Sequence, residues 1–104
     1  MDNRPISEEY RIVAKKWVDA DSAANMLEET KSAYLSQLML EHGDIAVSKA
    51  ETLVKGSASW RDYVEKMVTA RKEANLLKVQ LKYIEMKYHE WQSDNATRRA
   101  EMKL

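Results

Sequence analysis

Residues 60–91 read WRDYVEKMVTARKEANLLKVQLKYIEMKYHEW, and this stretch decides the fold. Trp60, Tyr63, Met67, Ala70, Ala74, Leu77, Leu81, Ile84, Tyr88 and Trp91 follow one another at alternating steps of three and four. With 3.6 residues per turn, that alternation keeps the side chains on one slowly winding stripe of a single helix. An apolar stripe in water is stable only when a second apolar surface covers it. The rest of the chain must supply that surface.

Upstream, Tyr10, Val13, Trp17, Ala20, Ala24, Leu27, Tyr34 and Leu38 keep the same register, and Lys31 is the one polar step in it. A lysine stem can cover apolar surface there while its amine reaches Glu28 or solvent. Pro5 discourages helix before it, and Ser7 is the expected N-cap, with Glu8 and Glu9 in the first turn where acidic side chains meet the positive end of the dipole. Gly43 should end this helix in a left-handed conformation, with His42 beside the negative end. Ser48-Lys49-Ala50-Glu51 has the form of a capping box opening a brief helix that Gly56 closes. Leu53 and Val54 are its expected contacts with the hairpin, and Ile45 or Val47 a staple. Ser57 or Ser59 caps the last helix, and Asp62, three residues after Ser59, favours the second serine. The predicted elements are helices over about 7–42, 48–55 and 59–95 in a single domain spanning residues 1–104. Ser93, Asp94, Asn95 and Thr97 lower helix propensity, so the tail is expected to fray.

Folding the two long helices back antiparallel pairs positions whose numbers sum to about 98. Leu38 then meets Trp60, Tyr34 meets Tyr63 or Val64, Lys31 meets Met67, and Ala24 lies opposite Ala74. Trp17 sits over Leu81, Val13 over Ile84, and Tyr10 over Tyr88. Large residues face each other at both ends and alanines meet in the middle. The fold class expected is therefore all-α: an antiparallel long-helix hairpin with a short helix at the turn. Asn25 and Asn75 also fall near each other and could set the register, as single buried asparagines do.

The last helix carries more apolar surface than one partner covers. Val64, Val68, Leu76, Val79, Tyr83 and Met86 form a second band, and the first helix adds Ile12, Val18, Met26, Leu35 and Met39. Such an excess predicts a further partner, most economically a homodimer in which two hairpins make a four-helix bundle. The short helix could instead cover part of the band. With Trp91 at the open end, the band on the last helix is the expected interaction surface.

Composition narrows the chemistry. Hydrophobic residues are 44% and charged residues 33%, with two glycines and one proline, which suits helices and not a strand-rich fold. There is no cysteine, so disulfides and thiol chemistry are excluded. No apolar run approaches the roughly 20 residues of a membrane span, and Met1 to Ser7 lacks a signal peptide's apolar core, so a cytoplasmic location is expected. Net charge is zero but divided: residues 1–43 carry five basic and eight acidic side chains, and residues 59–104 ten and seven, giving −3 and +3. That division favours pairing of the arms and argues against a strongly electrostatic partner.

No phosphate loop, dinucleotide turn, nucleophile elbow, HExxH or EF-hand pattern is present, so neither an enzyme nor a cofactor is expected. Glu85 and His89 stand at i, i+4 and could contribute to a metal site, but no further ligand is evident. Arg71, Lys78 and Lys82 form a basic line that Arg98, Arg99 and Lys103 extend into the tail, as a phosphate-tracking surface would. Glu73, Glu85, Glu90 and Glu101 interleave with it, which is how a solvated helix face laced with i, i+4 pairs looks.

Helical hairpins of this size include the small secreted proteins of the WXG type, but the turn here reads Lys55-Gly56-Ser57-Ala58-Ser59-Trp60 and lacks Trp-x-Gly, so that family is set aside. The segments Ala24-Asn25-Met26-Leu27-Glu28-Glu29-Thr30-Lys31-Ser32-Ala33, Ala70-Arg71-Lys72-Glu73-Ala74-Asn75 and Arg99-Ala100-Glu101-Met102 resemble small uncharacterised helical accessory proteins of bacteriophages and prophages. The resemblance implies a small accessory factor in the cytoplasm of an infected host, acting on phage DNA metabolism or on a host machine; it carries no site residues with it. The expected function is a non-enzymatic protein–protein interaction factor that modulates a host or phage protein. The alternative is a nucleic-acid-binding accessory of phage replication or recombination that uses the basic line and tail.

Overall fold

Pro5 opens the first helix without a side-chain cap. Its backbone is extended, and its carbonyl accepts from the amides of Glu8 and Glu9 at 3.0 and 3.1 Å. The computed structural model describes residues 5–102, which form α1 (Ile6–Leu40), α2 (Val47–Lys55) and α3 (Ala58–Met102), with no strand among them. Ser7 thus lies inside the first turn and is not the N-cap. The cause is tertiary: Ile6 packs on the cluster of Val13, Leu81 and Ile84, and that contact draws the helix start one residue earlier. The polar residues before Pro5, Lys103 and Leu104 lie outside the described residues.

α1 ends two residues before the expected limit. The amides of Glu41, His42 and Gly43 fall back on the carbonyls of Leu38, Met39 and Leu40, a tightening turn that Gly43 then reverses at φ +76°. A side chain at Gly43 would meet open space, so the left-handed backbone alone is the reason for glycine there.

The α2 cap differs from the sequence reading, and the α3 cap falls on the first of the two expected serines. α2 starts at Val47, capped by the backbone of Ala46, so the serine of the proposed capping box sits inside the helix. Ala50 and Val54, one turn apart, are the side chains α2 buries, while Leu53 stays partly exposed and Val47 exposed. Ser57, not Ser59, caps α3: its hydroxyl donates to the Val54 carbonyl at 2.6 Å and accepts from the Trp60 amide at 3.3 Å. One serine therefore joins the end of α2 to the start of α3. Gly56 closes α2 with ordinary right-handed backbone at φ −87°.

α3 stays helical to Met102, seven residues past the expected limit. Ala96, Arg98, Arg99, Ala100, Glu101 and Met102 are strong helix formers, and Thr97 returns its hydroxyl to the Ser93 carbonyl at 3.1 Å. α1 begins at Ile6, so residues 92–102 extend past it by about 16 Å of helix. The molecule is a rod, with extents of 84 × 21 × 19 Å and a radius of gyration of 23.2 Å, against about 13 Å for a compact domain of this length.

The antiparallel pairing of α1 and α3 is fixed along its length. Near the turn, Tyr34 stacks on Tyr63 at 4.6 Å and lies 6.4 Å from the buried Trp60 ring. The Tyr63 hydroxyl crosses to donate to the Leu27 carbonyl and sits 2.8 Å from Thr30 Oγ1. Lys31 places its Nζ 6.0 Å from the Trp60 ring, so its charge rests over an aromatic face as well as in solvent. In the middle, Ala24 and Ala74 are both 0% exposed, which marks the closest approach of the helices. Towards the open end, Val13, Leu81 and Ile84 form the main cluster, flanked by Trp17, Ala14 and Leu77. Lys87 donates to Glu9 across the helices at 3.1 Å. Asn25 and Asn75 are both exposed, so they are not a buried register pair.

Candidate interaction surface

Once α1 is in place, α3 retains an uncovered apolar face. Val68, Leu76, Val79, Tyr83 and Met86 are 56–66% exposed. At about 100° per residue these five fall within an arc of about 80°, and that arc is centred nearly opposite the buried residues Ala74, Leu81 and Ile84. Lys72 occupies the one turn where the face lacks an apolar side chain. A shallow groove of about 530 Å³ runs beside it, with Met67, Val68, Arg71, Asn75, Leu76 and Val79 in its walls.

The other two residues expected on this surface lie elsewhere. Val64 is half-buried and belongs to the flank of the seam with α1. Trp91 is 54% exposed at the open end, stacked at 6.1 Å on Tyr88. Tyr88 and Trp91 continue the seam register but lack full cover, because α1 begins at Ile6 and only its first turns reach this level. They line a second cleft of about 780 Å³ with Pro5, Ile6, Tyr10 and Ile84. Its polar edge is the Tyr10 hydroxyl donating to Glu85 at 3.2 Å, and the neighbouring carboxylate, through that bond and its charge, raises the phenol's pKa. The sum rule that pairs Tyr10 with Tyr88 was the available signal for this cleft.

The basic line does not survive intact. Arg71 donates through Nε and Nη2 to both oxygens of Glu28 at 2.7 and 3.0 Å, through Nη1 to Asp21 at 2.7 Å, and through Nη2 to Asn25 at 2.6 Å. This forked arrangement clamps α3 to α1 and uses the guanidinium's donors on its own protein. The bonds with Glu28 and then Asp21 raise the Arg71 pKa further above its ordinary value. Bonding from Arg71 in turn holds the Glu28 carboxyl below the usual range. Arg71 therefore joins the two long helices through Asp21, Asn25 and Glu28. Its position beside Asp21 and Glu28 follows from the pairing sum, and the linear charge pattern concealed it.

Lys78 and Lys82 are exposed, with Lys82 3.9 Å from Glu85. Arg98 and Arg99 are exposed on the extension of α3, and Lys103 lies outside the described residues. About 24 Å of helix separates Lys82 from Arg98, so the remaining basic residues form two spots instead of one track. Glu85 of the proposed metal pair is engaged by Tyr10, and the His89 ring packs 5.9 Å from that of Tyr88. Among the described residues, no three His, Cys, Asp or Glu side chains converge as a metal site would require.

Comparison with known proteins adds no template: no family model, curated protein or solved structure matches the chain. What the fold defines is an all-helical, elongated antiparallel pair with a short helix at its turn. Among the described residues no helix is long and apolar enough to cross a membrane.

Proposed function

We propose that this chain is a non-enzymatic interaction protein, a small accessory factor of the bacteriophage type that works by binding another protein chain. The observation that carries this reading is the outer face of α3, where five large apolar side chains stand more than half exposed on one arc. A contiguous apolar face of this kind marks a binding surface, since scattered exposed hydrophobics need no explanation but a stripe does. Helix-in-groove and helix-to-helix recognition both use anchors at this spacing.

The nucleic-acid reading rests on Lys78, Lys82, Arg98 and Arg99. It is weaker because Arg71 is already paired and the remaining cations are split in two. The two readings part on salt. Titration of the protein into labelled duplex and single-stranded DNA at rising salt separates them: phosphate binding weakens steeply with salt and falls with Arg98→Ala and Arg99→Ala. The interaction reading expects no DNA association above background at moderate salt, in the wild type or in these variants. Tight, salt-steep binding lost with the two arginines would refute it.

A further inference from the structure

The side chains along the outer face of α3 pair off about a common centre. Val68 and Met86 lie at its ends, Lys72 and Tyr83 inside them, and Leu76 and Val79 at the centre. Lys72 with Tyr83 and Leu76 with Val79 are equidistant from a point between residues 77 and 78, and Val68 with Met86 from residue 77. Two copies laid antiparallel about that point would set Val68 against Met86, Leu76 against Val79, and the Lys72 ammonium against the Tyr83 ring. The one charge that interrupts the face thus lands on its one aromatic, a cation–π contact. A parallel arrangement would instead set Lys72 against Lys72 and align the helix dipoles head to head, both unfavourable.

From this self-complementarity we infer that the occupant of the α3 face is a second copy of this chain, packed α3 to α3 in antiparallel register. The inference rests on the interaction reading above and names its partner. In the central turns the flanking positions agree with it: Glu73 falls beside Gln80 and Asn75 beside Lys82, so like charges meet only beyond the ends of the face, at Glu65 and Glu90. Zero net charge means that no long-range repulsion opposes self-association.

Area agrees as well. The accessible surface is 8366 Å², against about 6,000 Å² for a compact monomer of this mass. The five face residues expose on the order of 500 Å² per copy. A two-fold contact doubles this to about 1,000 Å², the size at which specific interfaces begin. Because the face lies opposite the α1 seam, each α3 would be held between its own α1 and the other copy's α3. The assembly is then a layer ordered α1, α3, α3, α1 and not a square bundle. Both open-end clefts remain uncovered.

Sedimentation equilibrium at micromolar concentration tests this on wild type, Val79→Glu and Met86→Glu, with far-UV circular dichroism confirming that each variant stays helical. The expected mass is about twice 12.1 kDa for wild type and near 12.1 kDa for both variants. Orientation is read from introduced cysteines, since the chain has none of its own. Leu76→Cys should form a disulfide with its own copy under mild oxidation. Met86→Cys should pair with Val68→Cys and not with itself, because two copies of residue 86 lie about 25 Å apart in the antiparallel register. A monomeric wild type overturns the second copy but leaves the interaction reading to the DNA titration. A dimer unmoved by both glutamates, or self-pairing at Met86→Cys, overturns the proposed contact.

Discussion

Ile84 is where the hairpin has most to lose. It is 1% exposed and sits in the cluster with Val13 and Leu81 that Ile6, Ala14, Trp17 and Leu77 enclose. Removing one methyl group with Ile84→Val is expected to cost about 1 kcal/mol, and Ile84→Ala about 3 kcal/mol, because the cavity in so thin a core is added to the lost transfer energy. Met26, 68% exposed on α1, is the control: Met26→Ala should stay within about 0.5 kcal/mol. Urea denaturation followed at 222 nm measures all three, made in the Val79→Glu background so that self-association does not enter the comparison. Each kcal/mol also moves the thermal midpoint by about 4–8 °C in a chain of this length. If Ile84→Ala costs no more than Met26→Ala, α1 does not cover α3 at this level and the pairing is wrong.

Other consequences follow from the same contacts. Ala24→Leu places a large side chain where two helices touch, and should lower stability by about 1–3 kcal/mol in the same assay. Arg71→Ala should destabilise the hairpin more than Arg71→Lys, since lysine keeps the charge but loses the fork, whereas Lys78→Ala should leave the denaturation midpoint unchanged. Glu28 has a lowered folded pKa, so its contribution is present above the ordinary carboxylate range and fades as pH falls through the lowered value. Glu28→Gln should therefore flatten the acid limb of the stability profile. Tyr10 has a raised folded pKa, so its contribution holds below the ordinary phenol value and is lost as pH rises through the raised one; Tyr10→Phe should flatten the alkaline limb.

Much of this fold was legible because one physical rule governs it. The 3,4 spacing from Trp60 to Ile84 and its counterpart in α1 report the buried stripes directly, and the alanines at 24 and 74 mark the closest approach. Tyr88 and Trp91 obey the same spacing yet are exposed, because periodicity gives the direction a side chain points and not whether a partner stands opposite. The N-caps were only partly legible for a related reason. Ser7, Ser48 and Ser59 all have capping chemistry, but the packing of Ile6, Ala50 with Val54, and Trp60 decides where each helix begins. Arg71 was hidden by reading charge along one helix. Its partners come from the other helix, and only the pairing register brings them together. The outer face of α3 was visible as surplus apolar residues, but its separation from Val64 and Trp91 needed the helix in place.

The most direct test replaces Tyr83, 62% exposed on the outer face, with a photoreactive phenylalanine and identifies by mass spectrometry what it captures. The expected product is a two-copy adduct joined to the segment around Lys72 of the second chain. Irradiation that yields only adducts within one chain, or none, would contradict the assignment of a second copy of this chain to this face.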